Sequence, residues 1–196
     1  MKPAIPQANR LRPPAEKWNG ELEGVLISAA QIKRRVGELS VEITNDFRGG
    51  DTVLVSLLNG TVLFLADLIR RLDFPLRLDF MGVSSYGNQT HGRQLVYTKE
   101  LRLDVCGRDV LLVDDILDTG RTLRHVSEKL LSLRPRTMKT CVLLDKPARR
   151  VENVRADYIG FTVPDYFVVG YGLDYAERYR NLPFVGVLQA HLYQEQ

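Results

Sequence analysis

Val110-Leu111-Leu112-Val113-Asp114-Asp115-Ile116-Leu117-Asp118-Thr119-Gly120-Arg121-Thr122 is the stretch on which the reading of this 196-residue chain turns. The apolar run from Asp109 to Val113 has the length and composition of a buried strand, and it delivers two carboxylates, Asp114 and Asp115, to its C-terminal end. A tight turn follows, and a helix is predicted from Thr122 to Leu133. In an open α/β sheet, that carboxyl edge is where ligands bind. Thr119, Gly120, Arg121 and Thr122 sit where free backbone N–H groups and the positive end of a helix converge, so the turn can hold a phosphate dianion. Gly120 allows close backbone approach, and the hydroxyls of Thr119 and Thr122 can add hydrogen bonds. Asp114 and Asp115 would repel the phosphate unless they faced something else, and sugar hydroxyls and a magnesium ion are their natural partners. The plainer alternative is an acidic strand end with Asp118 as a helix cap. The Asp-Thr-Gly-X-Thr run three residues after the acidic pair weighs against it, because the combined pattern specifies both a ribose and a phosphate.

The rest of the chain supplies a frame for that segment. From Ser28, a plausible N-cap, Ile32, Val36, Leu39, Ile43 and Phe47 form a helical stripe, with Lys33, Arg34, Arg35 and Glu38 on other faces. Thr52 to Leu58 reads as a buried strand, Leu63 to Leu72 as a helix, and Leu76, Leu78 and Phe80 alternate as a strand does. The polar run from Gly87 to Gly92 is expected to be a mobile loop. Thr137 to Leu144 is a further strand. Strands alternating with helices imply an α/β fold, a mainly parallel twisted sheet with helices on both faces. After Lys146 the segments Tyr158–Thr162, Phe167–Gly170 and Phe184–Leu188 are short, and they are expected to form a small hood over the sheet, at about 147–190.

Composition narrows the function classes. With 44% hydrophobic and 26% charged residues, the chain is neither disordered nor a disulfide scaffold. The net charge of +3 invites a nucleic-acid reading, but residues 1–20 hold Lys2, Arg10, Arg12 and Lys17 against Glu16 alone. Removing them from the totals of 27 bases and 24 acids leaves 23 of each over residues 21–196. The excess therefore belongs to a basic, proline-rich arm, expected to be flexible or loosely docked, ahead of one domain at 21–196. Two cysteines, Cys106 and Cys141, and three histidines share no zinc-ligand spacing. No apolar run reaches the roughly 20 residues of a membrane span, and the N-terminus lacks the apolar core of a signal peptide. The expectation is a cytoplasmic protein that engages neither membrane nor nucleic acid.

The segment 110–122 resembles the phosphoribosyl pyrophosphate signature of the type I phosphoribosyltransferases. Leu58-Asn59-Gly60, Ser84-Ser85-Tyr86-Gly87, Leu144-Asp145-Lys146-Pro147 and the run from Pro164 to Tyr175, with Arg180 beyond, are similar to the hypoxanthine-guanine branch of that family. The resemblance covers roughly residues 25–190. It implies displacement of pyrophosphate from C1 of phosphoribosyl pyrophosphate by N9 of a 6-oxopurine, with Mg2+ as cofactor and a homodimeric or homotetrameric assembly.

The resemblance also implies roles. Asp118 becomes the general base acting near the purine N7, and Asp118 to Thr122 the 5′-phosphate cradle. Asp114 and Asp115 face the ribose and magnesium. Lys146 donates to the purine O6 and would meet only a donor in adenine. Phe167 stacks on the purine, the Val168 backbone bonds its distinguishing edge, and Asp174 serves the purine side and magnesium. Leu58, Asn59 and Gly60 correspond to a loop in which a non-proline cis peptide turns backbone N–H groups toward pyrophosphate. Arg180 contacts the same group, and Ser85 and Tyr86 belong to a loop that closes over the site. The sequence departs from the common pattern at Asn59, where many members carry lysine. Two alternatives stay open: an RNA-binding regulator on the same fold, and a phosphoribosyltransferase for another base, such as xanthine.

Overall fold

The computed structural model describes residues 6–86 and 94–194. In chain order it contains β1 (Leu22–Ile27), α1 (Ala29–Phe47), β2 (Thr52–Leu58), α2 (Val62–Ile69), β3 (Leu76–Tyr86), β4 (Gln94–Lys99), β5 (Asp109–Leu117), α3 (Arg121–Ser132), β6 (Thr137–Asp145), β7 (Tyr158–Thr162), β8 (Val168–Val169) and β9 (Val185–Leu188). Six strands form one sheet in the order β4-β3-β2-β5-β6-β7. Within it β2, β3, β5, β6 and β7 run parallel, and β4 pairs antiparallel to β3 at one edge.

The two-residue period of the central strands separates two apolar layers. Leu54, Leu111 and Val113 point into a core shared with Ile32, Val36 and Leu39 of α1 and with Phe64 and Leu68 of α2. Val53, Val55, Val110 and Leu112 point the other way, onto Leu123, Val126 and Leu130 of α3. Helices therefore cover both faces, which is what continuous apolar strands require. α1 starts where expected: the Gln31 amide donates to Ser28 Oγ at 3.4 Å, and the Ser28 amide donates to Gln31 Oε1 at 3.0 Å, a capping box.

Several expectations need correction. Arg35 is buried, not on an outer face. Its Nε donates to the Gly160 carbonyl at 3.0 Å and a terminal nitrogen to the Ile159 carbonyl at 2.8 Å, while Glu38 and Glu42 accept at 3.0 Å. The Gly160 carbonyl faces the outer edge of β7, where the sheet supplies no further strand to donate to it. Tyr158–Thr162 is likewise an edge strand of the main sheet, not part of the hood. The hood is a separate three-stranded antiparallel sheet, β1-β9-β8, in which the unforeseen strand β1 pairs Leu22 with Leu188. β4 was also unforeseen. Asp79 secures the chain that follows it by accepting from the amides of Arg102 at 2.6 Å and Leu103 at 2.8 Å. Burial raises the Asp79 carboxyl pKa, but these amides, that of Phe80 and the Lys99 ammonium outweigh it and hold the pKa at about 2.

The N-terminal segment, excluded from the core when read as sequence, contributes to it from residue 6 onward. Ala8 is buried and its amide donates to the Thr162 carbonyl at 3.0 Å, while Arg12 and Val25 exchange backbone bonds at 2.9 and 2.7 Å. Open strand edges on β7 and β1 give this segment somewhere to pair. Among the described residues, no helix is long and apolar enough to cross a membrane.

Candidate active site

The site forms where β5 runs past the end of its pairing with β2 and turns into α3. Gly120 is the N-cap of α3 with φ 87°, in the left-handed region; it has no side chain to cap the helix, and of the first-turn amides that of Arg121 donates to Thr119 Oγ1 at 3.4 Å. The first-turn amides of α3 have no carbonyl one turn earlier to meet, so they remain directed at whatever occupies the cleft. A Cβ on Gly120 would lie 2.7 Å from Val154 Cγ2 and 3.0 Å from Arg150 Cδ, so both φ and space demand glycine there.

Arg150 explains why this turn presents amides rather than carbonyls. Its guanidinium donates to the carbonyls of Leu117 at 2.9 Å, Asp118 at 2.9 Å and Val154 at 2.8 Å, and it pairs with the Asp145 carboxylate. The Thr119 carbonyl accepts from the amides of Val151 at 3.0 Å and Glu152 at 3.1 Å. The negative ends of residues 117–119 are thus satisfied away from the place an anion would take. Sequence reasoning missed Arg150. The signal available was a basic pair, Arg149-Arg150, three residues after Lys146.

A cleft of about 820 Å³ runs from Asp114 and Asp115 over Asp118 to Thr122 and reaches Arg149. Asp114 is buried, and burial pushes its carboxyl pKa well above the usual range, with the Asp115 charge acting the same way. Burial also raises Asp115, while the amides of Ile116 and Asp115 itself and the Arg180 guanidinium offset part of that rise. Such a pair is suited to hydroxyl donors or a cation as partners. Asp118 Oδ2 lies 3.6 Å from the Arg149 guanidinium, whereas Asp118 Oδ1 is buried and has no hydrogen-bond partner among the described residues.

Two clusters flank the cleft. On one side Lys146 is 4% exposed, with its Nζ donating to the Tyr166 carbonyl at 2.7 Å and lying 3.3 Å from Asp165 Oδ1. These account for two of its three donors. One face of Phe167 stacks on Tyr193 at 4.6 Å between centroids, and its edge meets Tyr175 at 5.5 Å. Val168 sits in β8, paired with Val187. On the other side the Leu58–Asn59 peptide is cis, as the resemblance implied. A Cβ on Gly60 would fall 1.6 Å from Asp115 Oδ2, and one on Gly172 would fall 1.9 Å from the Gly60 carbonyl oxygen. Arg180 donates to the Gly172 carbonyl at 2.8 Å and pairs with Asp174 at 2.9 Å. The 58–60 loop, the acidic pair and the 172–180 segment are therefore in mutual contact.

That contact sets a prediction. Gly60→Ala must displace either the loop or the Asp115 carboxylate, and a shift of about 1 Å in a positioned group costs on the order of 10²-fold in kcat/KM. Steady-state kinetics on a variant with wild-type thermal stability will show the loss; an unchanged kcat/KM would mean that the loop yields freely.

Not every expected residue converges. Lys146, Phe167, Val168, Asp174 and Arg180 lie outside the lining of the 820 Å³ cleft. Ser85 and Tyr86 end β3, paired through their backbones with Leu95 and Gln94, while the expected mobile loop at 87–92 lies outside the described residues. Asp114, Asp115 and Asp174 do not make a three-carboxylate metal centre, since no group of three or more His, Cys, Asp or Glu suited to a metal occurs among the described residues. The physical reason is that Asp174 is engaged by Arg180 and the Glu177 amide, while Asp114 and Asp115 each accept from the following amide.

Comparison with known proteins adds an independent line. Residues 27–176 match the family described as phosphoribosyl transferase domain. The hypoxanthine-guanine phosphoribosyltransferase of Bacillus subtilis is 45% identical over 175 residues, covering 89% of this chain and 97% of that protein. The bifunctional protein TilS/HprT of Listeria monocytogenes is 44% identical over 181 residues, which span 92% of this chain but 28% of that longer protein. A hypoxanthine phosphoribosyltransferase crystal structure from Staphylococcus aureus superposes with a TM-score of 0.86 at 40% identity, covering 91% of this chain and 98% of that one.

Proposed function

The chain belongs to the phosphoribosyl transferase family, and from that premise we propose that it is a purine salvage enzyme that transfers the 5-phosphoribosyl group of phosphoribosyl pyrophosphate to N9 of hypoxanthine or guanine. The C1–N9 bond forms, the bond from C1 to pyrophosphate oxygen breaks, and the purine loses one proton. The observation that carries this reading is the buried, unpartnered Asp118 Oδ1 three residues before a helix whose glycine N-cap offers no side chain to its first-turn amides. A base and an anion cradle three residues apart suit a nucleotide-forming reaction and little else.

The site geometry and the family motifs together support the following roles. Thr119 to Thr122 hold the 5′-phosphate through backbone amides and hydroxyls. Asp114 and Asp115, whose carboxyl pKa values burial raises, face the ribose hydroxyls as hydrogen-bond partners. Asp118 takes the purine proton at Oδ1, which is buried and has no other hydrogen-bond partner among the described residues. Lys146 donates to O6 and Phe167 carries the flat ring. The cis-turned loop at 58–60 and Arg180 receive the departing pyrophosphate. The donor set fits magnesium brought in on the substrate's phosphates, with Asp114, Asp115 and Asp174 contributing one or two carboxylates, better than it fits a protein-only metal site. Bound there, the ion would neutralise charge on the leaving group.

Ser85 and Tyr86 help to exclude water from the activated sugar in this account. Assembly as a homodimer or homotetramer and a cytoplasmic location belong to the same proposal. The test is nucleotide formation from phosphoribosyl pyrophosphate and hypoxanthine or guanine, with magnesium and with chelator. Product only in the presence of magnesium supports the reading; tight RNA binding across a salt series without any nucleotide product would replace it with the regulatory alternative.

A further inference from the structure

The turn at 170–172 is built around an unusual residue. Tyr171 has φ 53°, between Gly170 at 99° and Gly172 at 102°, so three successive residues occupy the left-handed region, one of them with a bulky side chain. Bulky residues are rarely found there. The Tyr171 side chain is directed into the core beside α2, leaving the residue 6% exposed, and its hydroxyl donates to Asp67 Oδ2 at 2.7 Å. Asp67 lies on α2, which begins two residues after Gly60. The Tyr171 amide donates to the Leu182 carbonyl at 2.8 Å and the Gly172 amide to the Arg180 carbonyl at 2.9 Å, which ties the turn to the segment that carries Arg180. The next residue, Gly172, rests against the Gly60 carbonyl.

We propose that Tyr171 is a positioning residue: its hydroxyl bond to Asp67 fixes the hood turn on α2 and so sets the relative placement of the 58–60 backbone and Arg180 around pyrophosphate. Leu173 also joins the apolar core that α2 shares, but apolar packing is non-directional and the Gly60–Gly172 contact carries no side chain to lock a register. One buried hydroxyl bonded to a carboxylate supplies that lock, and the left-handed conformation at Tyr171 points the ring away from the cleft and toward Asp67. The inference rests on the function proposed above, because it assigns the clamp to the pyrophosphate half of that site.

Tyr171→Phe keeps the ring and removes the hydroxyl. Hydrogen bonds to charged groups support an increase of about tenfold in KM for phosphoribosyl pyrophosphate, and in KM for pyrophosphate in the reverse reaction, with the purine KM within about twofold of wild type. Asp67→Asn keeps an acceptor oxygen and restores near-wild-type constants, whereas Asp67→Ala reproduces the Tyr171→Phe profile. A merely structural role predicts a different result, with a lower melting temperature and all three KM values unmoved or moved together. Either of those outcomes, with wild-type turnover intact, overturns the clamp alone. A wild-type chain that forms no nucleotide and binds no magnesium pyrophosphate overturns the functional reading and the clamp with it.

Discussion

Asp118→Asn is expected to lower kcat by about 10²–10⁴-fold while leaving the affinity for phosphoribosyl pyrophosphate nearly unchanged, the usual scale for losing a positioned general base. The separation follows from the site. The 5′-phosphate cradle is made of backbone amides at the start of α3, whose orientation is set by Arg150 and the Thr119 carbonyl rather than by the Asp118 side chain. Asparagine preserves the size of the residue, and its Nδ2 or Oδ1 can occupy the same volume, so the amide frame survives. What disappears is a proton acceptor at the buried Oδ1. Steady-state turnover combined with equilibrium binding separates the two effects. A variant turning over at near-wild-type rates would remove Asp118 from that role, and one that loses phosphoribosyl pyrophosphate binding equally would make it a structural member of the cradle.

Lys146→Gln addresses base selection. The ammonium is almost fully buried and is held by the Tyr166 carbonyl and Asp165, so its remaining donor has a fixed direction. An oxopurine presents an acceptor to that donor, whereas adenine presents an amino group, and two buried donors facing each other leave both unsatisfied. Replacing a charged donor removes an interaction of about 1.5–3 kcal/mol, corresponding to roughly 10–10²-fold in kcat/KM for hypoxanthine and guanine. The loss should appear in the purine KM and not in the KM for phosphoribosyl pyrophosphate. Discrimination against adenine should narrow as well, since the glutamine side chain offers an acceptor. If the ratio of hypoxanthine to adenine efficiency stays the same, Lys146 does not read O6, and its contacts with residues 165 and 166 serve the fold.

What could be read from the chain, and what could not, divides along sequence separation. The strand–turn–helix from Asp109 to Ser132 was legible because every determinant lies within about two dozen consecutive residues: the continuous burial of Val110 to Val113, the acidic pair, and a glycine where φ is positive. α1 was legible for the same reason, with its stripe and its cap both local. β1 was not, because its partner is β9, and Leu22 meets Leu188 only after the whole sheet is in place. Arg35 read as a surface base because the carbonyls it satisfies, at Ile159 and Gly160, come from the far edge of the sheet. Arg150 was passed over for a related reason, since its acceptors at Leu117 and Asp118 lie more than thirty positions earlier. The assignment of Tyr158–Thr162 to the hood followed its shortness, when its pairing with Cys141 and Val142 makes it the last strand of the main sheet.

The site shows the same division. Asp114, Asp115, Asp118 and the residues through Thr122 are one local construction and fall in one cleft. The purine and pyrophosphate sides are assembled from segments as far apart as Gly60 and Gly172, and backbone contact rather than any side-chain pattern joins them. The three carboxylates expected at magnesium have separate partners, Arg180 for Asp174 and backbone amides for Asp114 and Asp115. The opposing charges of a chain that is neutral over residues 21–196 are nonetheless sorted by position, acids along the end of β5 and bases at Lys146, Arg149, Arg150 and Arg180 around it.

The central claim is transfer to an oxopurine, and the most direct test is product formation from phosphoribosyl pyrophosphate and magnesium with each of five bases: hypoxanthine, guanine, xanthine, adenine and uracil. The predicted result is inosine or guanosine monophosphate formed together with stoichiometric pyrophosphate, with adenine and uracil at background. Nucleotide product from adenine or uracil but none from the three oxopurines, or no product from any base, would contradict it.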